Sequence, residues 1–174
     1  MPRVPLLSGT RLVVASVPDD ARLVRPPPPG RATDVEAATR EALSFPLDGQ
    51  PLEELVAGAS RATIVVEPPA LPLGGAESDP RRQAVAAVSA ELERLGVPTA
   101  RQTLLVAGGL ARRLRPAGIA ALVTPEFRRR FHGRVAVHDA ADPALVSLGG
   151  RAQGRPGVAR ELVETDLVVV VSAA

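Results

Sequence analysis

The chain has 174 residues, 45% of them apolar, and a formal net charge of only +2, which suits one globular domain with a proper core. It holds no cysteine, lysine, tyrosine, tryptophan or asparagine, so disulfides, thiolate zinc sites, a P-loop lysine and Schiff-base chemistry are excluded. The pI of about 10.7 arises because every basic residue is arginine, and it is weak evidence for a nucleic-acid partner. No apolar run approaches the ~20 residues of a spanning helix, and a cytoplasmic protein without membrane contact is the expectation.

In chain order, Arg11 to Val17 read as a first strand. The stretch "PDDARLVRPPPPGRATD" follows as a proline-stiffened strap at about 18–33. Thr33 and Glu36 have capping-box spacing, and Val35, Ala38, Ala42 and Leu43 make the apolar stripe of a helix stopped by Pro46. Pro51 then opens a short helix with Leu52, Leu55 and Val56 facing inward and Gly58 near its end. "RATIVVEPP" is a buried strand, followed by a Pro- and Gly-rich loop from Glu67 to Pro80.

Asp79 can cap and Pro80 can start the next helix, where Val85, Val88, Leu92 and Leu95 share one face and Gly96 ends it. Then come the strand "QTLLVA", a helical region divided by Pro125 and reaching about Phe131, and the strand "RVAVHD". An irregular segment from Ala140 to Gly157, a helical turn near Arg160 to Glu164 and the strand "DLVVVVS" complete the chain. The last strand, apolar at every position from Leu167 to Val171, reads as a central parallel strand. The alternation predicts one α/β domain over 1–174: a mostly parallel sheet with helices on both faces, a Rossmann-like three-layer sandwich.

Ligands of such sheets bind beyond the carboxyl ends of the strands, which here carry Glu67, Gly108 with Gly109, His138 with Asp139, and Ser172. Gly108 and Gly109 would let backbone amides approach a phosphate or carboxylate, with Arg112 adding charge; alternatively the glycines make a tight turn. His138 and Asp139 could form a general-base pair, or simply a polar strand end with Asp139 capping a turn. Neighbours on a strand point to opposite faces, which separates the two. His132, before Gly133, suits a helix end. Arg112, Arg113, Arg115, Arg128, Arg129, Arg130 and Arg134 form the densest basic cluster. With only three aromatics, all phenylalanine, base stacking is poorly provided for, and a solvated face is the simpler reading.

The succession "RPPPPGRATD", "PLDGQPLEELV", "ATIVVE", "ELERLGVPTARQTLLVAGG", "RVAVHDAADPALVSLGG" and "LVETDLVVVV" resembles the amino-terminal domain of the nickel-pincer lactate racemase family over nearly the whole chain. The resemblance implies an isomerase ancestry, in which a hydride moves between a 2-hydroxy acid and a lysine-tethered nickel-pincer nucleotide, assisted by histidine bases. The family's D-D-x-T-R-P motif falls on "VEPPALP": Glu67 keeps an acidic position, while the substrate-binding arginine position is Ala70 or Leu71. Its A-T-G-T-H-R turn falls on "AGGLAR": Gly109 and Arg112 match, and Ala111 stands where the catalytic histidine belongs.

In the family the last strand leads into a segment like E-P-H-x-x-A-G-F-S-G-G and the cofactor lysine, whereas this sequence reaches Ala174 first. The expectation is therefore a fragment or a free-standing pseudoenzyme with no cofactor of its own, inactive alone. The alternatives are a non-catalytic anion- or nucleotide-binding scaffold, or a subunit of a split enzyme. Apolar surface near Leu167 to Val171 predicts a homo-oligomer or a chain supplying the missing half.

Overall fold

The computed structural model describes residues 2–8, 11–22, 34–59, 61–67, 79–108, 122–149 and 157–172. Arg3–Ser8 (β1) and Arg11–Ser16 (β2) pair as an antiparallel hairpin, Pro5 opposite Val14. The sequence pattern reveals only the second of these strands, because Pro2 and Pro5 argue against the first. In a two-stranded ribbon both strands are edges, so a missing N–H can face outward at no cost to the ladder. Residues 23–33 of the strap, Thr33 included, lie outside the described residues.

Helix α1 spans Val35–Ser44, and its N-cap is Asp34, whose carboxylate accepts from the Ala37 N–H at 3.0 Å. The cap is thus one residue later than the capping-box spacing implies. The helix ends before Pro46, which disfavours helical backbone at Phe45. Helix α2, Leu52–Val56, has Pro51 in the N-cap position rather than as its first residue. Leu52 and Val56 are buried but Leu55 is 47% exposed, a correction to its inward assignment. A five-residue helix offers one i,i+4 stripe, and Leu52 with Val56 fills it.

Four strands form the central sheet: Ala62–Val66 (β3), Gln102–Val106 (β4), Arg134–Val137 (β5) and Leu167–Val171 (β8). All pairings are parallel and the order is β5-β4-β3-β8. Two short strands, Val146–Ser147 (β6) and Gly157–Val158 (β7), pair antiparallel within the segment read as irregular. The expectation of a central last strand is overturned, since β8 lies at the sheet edge. Its burial alternates: Leu167, Val169 and Val171 pack on the core, while Val168 and Val170 are 41% and 62% exposed. A run of valines satisfies an inner face and an open outer face equally, so hydropathy alone cannot place it.

On one face of the sheet, Ile64, Val66, Leu104 and Val106 pack with Val85, Val88 and Leu92 of α3, Pro80–Arg94. Asp79 caps α3 and Pro80 begins it, as the sequence predicts. Gly96, at φ +100°, ends it: the Val97 N–H reaches the Leu92 carbonyl and the Gly96 N–H the Glu93 carbonyl, a Schellman motif. A buried polar lock fixes α3 to β4. Gln102 donates to the carbonyls of Ser89 (3.1 Å) and Val97 (2.8 Å) and accepts from the Ser89 hydroxyl (2.5 Å).

Thr63 points to the opposite face, where its hydroxyl donates to the carbonyl of Glu161 in α5, Arg160–Val163. Helix α4, Pro125–Arg130, is capped by Thr124 and buries Phe127 against the core. The architecture is a three-layer α/β sandwich, with the sheet flanked by helices. Among the described residues no helix is long and apolar enough to cross a membrane.

Candidate functional site

The registers Val66↔Val106, Val106↔Val137 and Val66↔Val171 align the carboxyl ends of all four strands. Ladder bonds continue one residue further, from the Ala107 N–H to the Val66 carbonyl and from the His138 N–H to the Val106 carbonyl, both 2.9 Å. Glu67, Gly108, His138 and Ser172 therefore leave the sheet along one edge. Gly108 has no left-handed φ, and a Cβ placed on it would lie 3.8 Å from the His138 carbonyl, an ordinary contact. Neither crowding nor backbone conformation demands glycine there, which weakens the tight-turn reading for this residue. Gly109, Ala111 and Arg112, like Ala70 and Leu71, lie outside the described residues.

His138 and Asp139 are both half-buried and both line one cavity of about 210 Å³, together with Asp142, Arg160 and Glu161. Both therefore reach the same cavity, His138 from the last ladder bond of β5 and Asp139 from the turn just beyond it. Asp139 also makes a turn: its Oδ1 accepts from the Ala141 N–H at 3.0 Å, and its carbonyl from the Asp142 N–H at 3.0 Å. The structural role weighed for Asp139 is therefore present, alongside its place at the cavity. His132 is exposed just beyond α4, before Gly133, away from this cavity. Among the described residues no three His, Cys, Asp or Glu side chains cluster as a metal site.

The strongest electrostatic feature of this edge escapes sequence reading. Arg81 grips Asp79 through Nη2–Oδ2 at 2.6 Å and Nε–Oδ1 at 3.0 Å, with both side chains only 8% exposed. A further donor, Nη1, reaches the Glu67 carbonyl at 3.1 Å. The Arg81 hydrogen bonds hold the Asp79 carboxyl below the usual carboxylate range against the opposing effect of burial. Its neighbour Arg82 donates from Nε and Nη2 to the Val123 carbonyl at 3.1 and 3.0 Å. Successive arginines of α3 thus hold the chain where it leaves β3 and where it returns to α4. The signal available in "DPRR" is that two arginines in a first helical turn oppose the helix dipole, so their charge must be answered elsewhere.

Arg128, Arg129 and Arg130 are exposed in the last turn of α4, where positive charge is favourable. Arg134 instead pairs with Glu161 at 2.9 Å.

Comparison with curated proteins gives no match. The lactate racemase N-terminal domain family matches residues 9–173, nearly all of the chain. With the parallel sheet and its aligned carboxyl edge, this match places the chain in a known lineage: it belongs to the lactate racemase N-terminal domain family.

Proposed function

We propose that the domain forms one wall of a site for a small carboxylate such as a 2-hydroxy acid, and that it does not racemise such a substrate alone. What carries the reading is the makeup of the carboxyl edge. Gly108 and His138 offer a backbone approach and an imidazole beside a cavity, while Ala111 occupies the position of the family's catalytic histidine. The residues do not fit the nickel-pincer cofactor. Tethering it needs a lysine, which the 174 residues lack, and the described residues supply no cluster of metal donors.

His138 lies where it would sense a bound ligand, and Arg134 and Arg160, each also paired with a glutamate, bring positive charge to the same cavity. The open face of β8 favours association with a second chain, either another copy or one that carries a lysine. The test is direct. Incubation of the purified chain with L-lactate should give no D-lactate by chiral chromatography, and elemental analysis no stoichiometric nickel. With only two histidines in the sequence, titration with lactate should move the imidazole resonances of His138 and leave those of His132 in place. Turnover with bound nickel, or a lactate titration that moves neither ring, overturns the reading.

A further inference from the structure

We propose that the amino edge of the same sheet is a binding site for the phosphate group of a small molecule. Three neighbouring strands begin with arginine: Arg61 directly precedes β3, Arg101 directly precedes β4, and Arg134 is the first residue of β5. The pairing Ala62↔Gln102 brings the residues just before it, Arg61 and, as the last residue of a 3-10 turn, Arg101, to the same edge of the sheet, where the strands run about 4.8 Å apart. Like charges gathered at one edge repel each other, and the carboxylates nearby are engaged elsewhere. Glu161 is engaged by Arg134 at 2.9 Å, Glu164 by Arg160 at 3.2 Å, and Asp166 accepts from the backbone N–H of Arg61. Among the described residues no carboxylate pairs with the side chain of Arg61 or Arg101.

The geometry around this unrelieved charge is concave. The three arginines line one cavity of about 390 Å³ together with Thr63 and Thr103 and with Glu161 and Glu164, whose carboxylates are held by Arg134 and Arg160; its volume is within the range of small-molecule sites. Thr103 and Arg134 are register partners, so they share a sheet face at this edge. A single carboxylate has two oxygens and satisfies one guanidinium fork. A phosphate dianion offers three oxygens and enough charge to bridge two forks. The ligand class is therefore a phosphomonoester or free phosphate, at the end of the sheet opposite His138.

Calorimetric titration of the full chain at low salt decides the matter, with inorganic phosphate, glycerol 3-phosphate and lactate as probes. Saturable one-to-one binding of at least one phosphate probe is expected, with lactate at least tenfold weaker. The double variant Arg61→Gln/Arg101→Gln should lose at least tenfold in affinity. Arg128→Gln/Arg130→Gln removes the same charge from another exposed site and should change affinity less than twofold. Thermal melts of both variants confirm folding. The proposal is overturned if no phosphate probe saturates, if both double variants lose equally, or if lactate binds as well as phosphate. Tighter binding of glycerol 3-phosphate than of inorganic phosphate assigns the site to phosphomonoesters, and the reverse order to the free ion.

Discussion

Replacing Arg81 with Met isolates the clasp at the start of α3. The substitution keeps a long side chain but leaves the Asp79 carboxylate, 8% exposed, without its guanidinium partner and the Glu67 carbonyl without its donor. Removing one member of a buried ion pair costs about 3–5 kcal/mol. The lower end applies, because Asp79 keeps the backbone N–H of residue 81 at 3.0 Å and stays close to Arg82. A loss of about 3 kcal/mol in a domain of this size lowers Tm by roughly 6–12 °C. Adding Asp79→Asn to Arg81→Met removes the stranded charge but preserves a capping side chain, and should return the protein to within about 1–2 kcal/mol of the parent.

The same pair has a pH signature. The folded-state pKa of Asp79 is depressed by Arg81, so its contribution is complete above the unfolded value near 3.8 and fades as pH falls towards the lower folded value. Urea denaturation from neutral pH down through this window should show a shallower loss of stability in Arg81→Met than in the parent. Glu91, likewise lowered by its hydrogen bond from Arg94, contributes to both proteins and cancels in the comparison. A variant within 1 kcal/mol of the parent, or two parallel acid limbs, would refute the argument.

Three further outcomes are expected. Gln102→Leu strands the Ser89 hydroxyl and takes a donor from the Val97 carbonyl and a second donor from the Ser89 carbonyl inside the core, and should cost about 2–3 kcal/mol in denaturant titration; a loss under about 1 kcal/mol would show that water repairs the gap. Gly133→Ala should not yield soluble folded protein, since a Cβ there collides with the backbone carbonyls of Gln102 and Thr99, whereas Gly49→Ala, at φ +83° in open space, should cost only about 1 kcal/mol. Val170→Glu sits on the open face of β8 and should shift sedimentation from dimer towards monomer with little change in Tm; a parent chain that is monomeric at every concentration contradicts the association.

Much of the framework is legible because its signals are local. Asp79 with Pro80 announces α3, Gly96 ends it, and β-branched runs mark β3 and β8 as a short apolar run marks β4. What escapes is set by distant neighbours. Whether Val168 and Val170 face helices or water depends on strand order, which hydropathy does not encode. β1 is hard to see in sequence because Pro5 interrupts its pattern, and a strand that pairs on one side tolerates it. At the candidate site Glu67, Gly108 and His138 are legible from the strand-end rule. The clasp of Arg81 is not, because its contacts to a residue two positions back and to a strand end fourteen positions back follow no helical period.

That clasp also divides what evolution can change from what it cannot. Through Arg81, Asp79 at the start of α3 is tied to the Glu67 carbonyl at the end of β3. Doubling the length of a segment joining two such points costs only about 0.6 kcal/mol in closure entropy, a small sum beside the ion pair at its root. The clasp thus makes the spacing between the end of β3 and the start of α3 a property of three residues, Glu67, Asp79 and Arg81, a socket of fixed width whatever length of chain joins its two sides.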